Sequence, residues 1–125
     1  MTKLFISFAA VMAGLSVAGG AFASHALKKS LSQQALAIFE TGSKYQMYHA
    51  LALLMVGLFL SRNEMASTLL NAAGWAFIVG IVLFSGSLYA LSLSGVRWLG
   101  AITPFGGFAF LVGWGCLAIA TWSFK

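Results

Sequence analysis

The chain has 125 residues, 61% of them hydrophobic and only 7% charged, against about 25% charged in an ordinary soluble domain. That balance excludes a soluble globular protein and points to one integral membrane domain with little material outside the bilayer. The net charge of +5 does not indicate nucleic acid, because the basic residues sit singly or in pairs at the ends of apolar runs, where lipid headgroups accept them, and form no cluster interleaved with stacking aromatics. Cys116 is the single cysteine, which rules out an intramolecular disulfide or a cysteine metal cluster, and its apolar surroundings suit a small packing residue.

Four apolar stretches read as spans. The first covers about residues 4–23. Lys3 followed by an apolar run and Ala21-Phe22-Ala23 also resembles a cleavable signal segment. The run is nevertheless long enough to span, and the chain after it is itself hydrophobic, so a retained helix is expected. Ala10, Gly14 and Ala18 recur every four residues, which suits close helix contact.

Residues 24–43 form the longest polar connection. Leu27, Leu31, Ala35, Ile38 and Phe39 recur at helical spacing, with Lys28, Lys29, Ser32, Gln33 and Glu40 mostly on other faces. This predicts a short amphipathic interfacial helix over about 30–42, capped by Ser32 and ended by Gly42. Its apolar face is free to lie on the membrane, on the bundle, or on both.

The second span is expected over about 44–60, with Tyr45 and Tyr48 at headgroup level, followed by a tight turn over 61–66 with Arg62, Asn63 and Glu64. The third covers about 67–91, where Ala72, Ala76 and Gly80 again space small residues by four. The fourth is expected over about 98–124 and contains the only proline. It starts either at Trp98 with a kink at Pro104, or with Thr103 as cap and Pro104 as the first helical residue. Four crossings place both termini on one side. Lys3, Arg62 and Lys125 on that side nearly balance Lys28, Lys29, Lys44 and Arg97 on the other, so charge barely orients the chain.

His25 and His49 flank the interfacial segment. Two facing imidazoles would suit haem or a metal, but boundary histidines commonly bond a neighbouring carbonyl instead. Glu40, Lys44, Tyr45, Gln46, Tyr48 and His49 make the densest polar group, either an anchor between the interfacial segment and the second span or a headgroup or small-solute site. Asn71, Ser85 and Ser87 suit hydrogen bonds between helices, since no acidic or basic residue lies mid-span to mark a proton or ion relay. Gly14, Gly80, Pro104, Gly106 and Gly107 are the candidate helix-packing positions. No metal ligand set, nucleophile–base pair or phosphate loop is visible, so no enzyme, metal or cofactor is expected.

Several strings together resemble a known family. They are Gly20-Ala21-Phe22-Ala23-Ser24-His25-Ala26-Leu27, Phe39-Glu40-Thr41-Gly42 with Tyr45-Gln46-Met47-Tyr48-His49-Ala50-Leu51, Leu83-Phe84-Ser85-Gly86-Ser87-Leu88-Tyr89, and Arg97-Trp98-Leu99-Gly100-Ala101 with Ile102-Thr103-Pro104-Phe105-Gly106-Gly107. They occur in order across nearly the whole chain and resemble the YgdD/YwdK-like family of small bacterial inner-membrane proteins, which has a small animal transmembrane relative. Ala23 stands where the first motif usually has Gly. The resemblance implies an all-α, four-helix membrane bundle without an enzymatic activity and, from the basic tail common in relatives, cytoplasmic termini. The expected roles are support of membrane integrity or service as an accessory partner in a membrane complex, with lipids and a homo-oligomer or other membrane protein as partners. The alternatives are an oligomeric carrier or channel, or a haem- or quinone-binding bundle.

Overall fold

The computed structural model describes residues 1–62 and 67–123. They form an all-α four-helix bundle of α1 (Thr2–Ser30), α2 (Gln33–Arg62), α3 (Thr68–Ser94) and α4 (Thr103–Ala120), with a 3-10 turn over Arg97–Ala101 leading into α4. Neighbouring helices run antiparallel. Ser16 meets Ser43 while Ile6 meets Gly57, Gly42 meets Leu88 while His49 meets Phe77, and Gly80 meets Phe110 while Phe77 meets Gly113. The beginning of α1 and the end of α4 therefore lie at one end of the bundle. The turn expected over 61–66 falls outside the described residues beyond Arg62, as do Phe124 and Lys125.

Among the described residues, three helices are long and apolar enough to cross a membrane: Thr2–Ser30, Thr68–Ser94 and Arg97–Ala120. α2, between the first two, falls short in composition because Glu40, Lys44, Gln46 and His49 crowd its first half, which is the interfacial part; its second half runs back along α1 until Gly57 lies opposite Ile6. This revises two expectations. The interfacial helix over 30–42 and the span over 44–60 are one continuous helix, and Gly42 does not end it. Gly42 is buried instead against Leu88 and Tyr89 of α3, where an added Cβ would lie 3.1 Å from the Tyr89 ring. The start of α2 is as expected, with the Ala35 backbone N–H donating to Ser32 Oγ at 3.1 Å.

Two membrane helices each contain a π-helical turn, Ala23–Leu27 in α1 and Ile81–Ser85 in α3. Such a turn widens the backbone locally and is concentrated at functional or closely packed positions. In α3 its Ser85 Oγ donates to the Gly42 carbonyl at 2.7 Å, tying the wide turn to α2. The final helix begins at Thr103 with Pro104 in its first turn, where the missing N–H leaves no bond unmade, and Trp98 belongs to the preceding 3-10 turn. Thr103 does not cap α4: its hydroxyl pairs with Ser87 Oγ at 2.6 Å.

In a bilayer, burying apolar surface between helices gains little over burying it in lipid, so close packing and hydrogen bonds hold the bundle. Phe5, Leu53, Val56, Leu70 and Phe77 are its fully buried large side chains. Rings sit in spaces that glycines leave open. Phe5 packs over Gly74, Phe110 over Gly80, and Phe77 over Gly113. Gly106 packs directly on the Phe84 backbone. Gly80 and Gly106 thus lie where helices touch, while a Cβ added at Gly107 would make only an ordinary contact, 3.9 Å from the Phe84 ring.

Gly14 corrects an expectation as far as contacts within this chain are concerned. An added Cβ there would meet nothing within 4 Å, and Ala10 and Ala18 are exposed with it. The rotation of α1 follows from stronger demands: Phe5 fills the space over Gly74, and Ser16 faces Ser43. Those residues, with Ala9, define the buried face and turn the small-residue stripe outward.

Candidate functional site

The polar residues clustered in sequence do not form one cluster in space. Gln46 and His49 point into the bundle and are buried, while Glu40, Lys44, Tyr45 and Tyr48 lie exposed on the same helix. His25 is also exposed, on the π-helical turn of α1. No contact joins it to His49 among the described residues, and no ion pair joins Glu40 to Lys44. Glu40 and Lys44 instead share a shallow cleft with Ser16, Ser24, Ser43 and Met47.

Gln46 ties three helices together. Its Nε2 donates to the Met12 carbonyl of α1 at 2.7 Å, and its Oε1 accepts the Tyr89 hydroxyl of α3 at 2.6 Å. One turn earlier, Ser43 and Ser16 exchange hydrogen bonds: Ser16 Oγ donates to the Ser43 carbonyl at 2.5 Å, and Ser43 Oγ donates to the Ser16 carbonyl at 3.1 Å. Each hydroxyl reaches a carbonyl already engaged within its own helix, so α1 and α2 must approach closely. Hydrogen bonds of this kind contribute roughly 0.6 kcal/mol each between membrane helices. Ser16→Ala and Ser43→Ala are each expected to lower stability by under about 1 kcal/mol. Changing both at once should cost about the sum of the two losses, because each hydroxyl donates to a main-chain carbonyl that the other substitution leaves in place. Equilibrium unfolding of the four cycle members in detergent measures this, and a double loss well short of the sum would show that the two bonds depend on each other.

His49 lies on the opposite flank of α2, facing α4. Its Nδ1 is 2.7 Å from the Tyr45 carbonyl, and its Nε2 is 3.1 Å from Trp114 Nε1. A carbonyl only accepts and an indole N–H only donates, so both bonds are satisfied by the neutral ring with its proton on Nδ1. The imidazole also stacks on Phe110, with ring centroids 3.5 Å apart and planes 7° apart. Both nitrogens are therefore committed, and ligation of a haem iron or metal through His49 would require breaking one of these bonds. Among the described residues, no group of three His, Cys, Asp or Glu side chains is placed to hold a metal ion.

Beside His49, a cleft of about 790 Å³ opens between α2 and α4. Tyr45, Tyr48, Phe84, Phe108, Phe110 and Trp114 supply its aromatic lining. Pro104 and Gly107 line it where α4 begins. Sequence reasoning pointed to His49 but missed Trp114 and Phe110, since an aromatic residue on an apolar helix carries no sign of its partner. Tyr89 did carry a signal, because it closes the Leu83–Tyr89 motif, but nothing there showed that it reaches Gln46.

Comparison with known proteins gives relatives along almost the whole chain, described as membrane proteins. The family described as "Protein of unknown function (DUF423)" matches residues 19–107. A UPF0382 membrane protein of Staphylococcus epidermidis is 48% identical over 122 residues, covering 98% of both chains. The UPF0382 membrane protein YwdK of Bacillus subtilis is 44% identical over 118 residues, covering 94% of this chain and 95% of its own. A UPF0382 membrane protein of Staphylococcus haemolyticus is 44% identical over 122 residues, covering 98% of both. No solved structure matches the chain. With relatives this similar along almost its entire length, and with apolar helices suited to repeated crossing of the bacterial inner membrane, the chain belongs to the UPF0382/YwdK family of small bacterial membrane proteins of unknown function.

Proposed function

We propose that this chain is a non-catalytic structural protein of the inner membrane that supports membrane integrity or serves as an accessory partner in a membrane complex. The observation that carries this reading is how its interior polar side chains are used. Ser16, Ser43, Gln46 and Ser85 all donate to main-chain carbonyls of neighbouring helices. A transport path needs polar groups lining a water-filled route, whereas these groups hold helices together. Deleting the gene should raise membrane permeability to small dyes, and crosslinking in intact cells should capture a membrane partner. Unchanged permeability together with no stable partner removes the proposal. The carrier or channel reading predicts solute flux in liposomes that depends on Glu40 and His49, and lack of flux for ions and small metabolites would exclude it. Cytoplasmic termini are part of the proposed topology, and a C-terminal reporter active only in the cytoplasm tests them.

A second reading is favoured by the aromatic cleft beside His49. Its lining suits a lipid-soluble planar molecule such as a quinone, since ring stacking is worth about 0.5–1.5 kcal/mol beyond area and acyl chains offer no such gain. His25 has no part in this version, and haem is disfavoured by the two bonds of His49. Solvent extraction of the purified protein, with absorbance spectra of protein and extract, tests it. Absence of any chromophore or quinone removes it.

A further inference from the structure

At the end of the bundle away from the chain termini, α3 finishes at Ser94 and the chain turns through Gly95, the one described glycine with a left-handed backbone, φ +73°. That turn carries Arg97 back across the start of α2. Between the two segments lies a cleft of about 340 Å³. Ala35, Ile38 and Leu91, each half-buried, form its apolar inner wall, and Gln34 and Arg97, both exposed, form its polar rim; Ser92 also lines it but is buried, its hydroxyl donating to the Tyr89 carbonyl at 2.9 Å. The division matches an amphiphile entering from the membrane boundary, with its charged end at the rim and its first methylenes against the wall.

Arg97 determines the sign of that charge. Its side chain is exposed, and no ion pair holds it among the described residues. The chain contains only two acidic residues. Glu40 belongs to the separate cleft shared with Ser16 and Lys44, and Glu64 lies outside the described residues. Trp98, next in the chain, is 66% exposed. Exposed tryptophan is favoured at the headgroup level of a bilayer, which sets the neighbouring guanidinium at the depth of the phosphates. A planar guanidinium binds phosphate oxygens with two parallel hydrogen bonds, which a lysine ammonium does not reproduce.

We propose that the Arg97 cleft binds the phosphate of an anionic phospholipid headgroup, with the start of the lipid's chains against Ala35, Ile38 and Leu91. The protein is purified in a mild detergent and exposed to phosphatidylglycerol, phosphatidylcholine or inorganic phosphate, with retained lipid counted by native mass spectrometry. Phosphatidylglycerol should be retained preferentially, and inorganic phosphate should not compete at equal concentration. Arg97→Gln should weaken retention about fivefold, the size expected of one basic side chain near an anionic surface, and Arg97→Lys should restore only part of it. Ala35→Phe should fill the inner wall and weaken retention with no change of charge. Lys29→Gln, at the exposed end of α1, should have a smaller effect than Arg97→Gln. Equal losses for Lys29→Gln and Arg97→Gln would reduce the site to diffuse surface charge and overturn the proposal. So would full retention by a folded Ala35→Phe protein, or equal retention of the anionic and zwitterionic lipids. Competition by inorganic phosphate would replace the lipid with a free anion. Circular dichroism of each variant confirms that helix content is unchanged before retention is compared.

Discussion

Gly106→Ala should destabilise the bundle by about 3 kcal/mol, at the upper end of the usual cost of overpacking a tight core. The added Cβ would lie 2.7 Å from the Phe84 Cα and closer still to its backbone nitrogen. A flexible side-chain tip would move aside at small cost, but a helix backbone yields only if α4 slides away from α3. That displacement would also loosen the rings of Phe77 and Phe110, which occupy the space over Gly113 and Gly80 in the same interface. Two other glycines make the comparison sharp. Gly14→Ala meets nothing within 4 Å, and Gly107→Ala meets only the Phe84 ring at ordinary distance. Both should be neutral, or stabilising by up to about 1 kcal/mol from the better helix propensity of alanine. Thermal unfolding of the three variants in one detergent checks the order. If Gly106→Ala melts with the unchanged protein, the α3–α4 packing described here is wrong.

The second large effect is expected at His49. His49→Ala removes a ring stacked on Phe110, leaves a cavity, and takes away the acceptor for the Trp114 indole N–H. Together these should cost about 2–4 kcal/mol. His49→Phe keeps the ring but loses both polar bonds, so about 1–2 kcal/mol is expected. Adding Trp114→Phe to His49→Phe should recover part of that loss, because no buried N–H is then left without an acceptor. Equilibrium unfolding gives the energies. The fluorescence of Trp114, isolated by difference against Trp114→Phe, reports whether the indole has lost its partner. Equal stability of His49→Ala and the unchanged protein would mean that the imidazole is not part of the bridge between α2 and α4.

Much of the architecture was legible in the residue order. The apolar runs announced an all-α membrane bundle, because a chain so poor in charge has few other ways to satisfy its backbone. Ser32 marked the start of α2, since a hydroxyl bonding an N–H three residues on is a local event. Pro104 suited either the first turn of α4 or a kink within it, and only the fold placed it in the first turn. The reading failed at residue 42, where a glycine after a polar segment resembles a helix end. Whether Gly42 ends a helix or admits a neighbour depends on the Tyr89 ring and the Ser85 hydroxyl, both far away in the chain.

The candidate site divides along the same line. That residues 40–49 hold unusual polar density near a membrane edge was plain from their order. Their spacing did not reveal that Gln46 would serve α1 and α3 while His49 turns toward α4. Nor did it show that His25 would stay outside. Gly14 and Gly106 look alike as small residues in apolar helices, yet one faces open space and the other a backbone. Periodicity and capping depend on neighbours within a turn or two, so order along the chain decides which segments are helical and which are apolar enough to enter the membrane. The rotation of each helix is decided by the packing of all four at once. In lipid no hydrophobic gradient singles out one apolar face from another, so close ring-to-glycine contacts and hydrogen bonds across helices make that choice, and they exist only in the assembled fold.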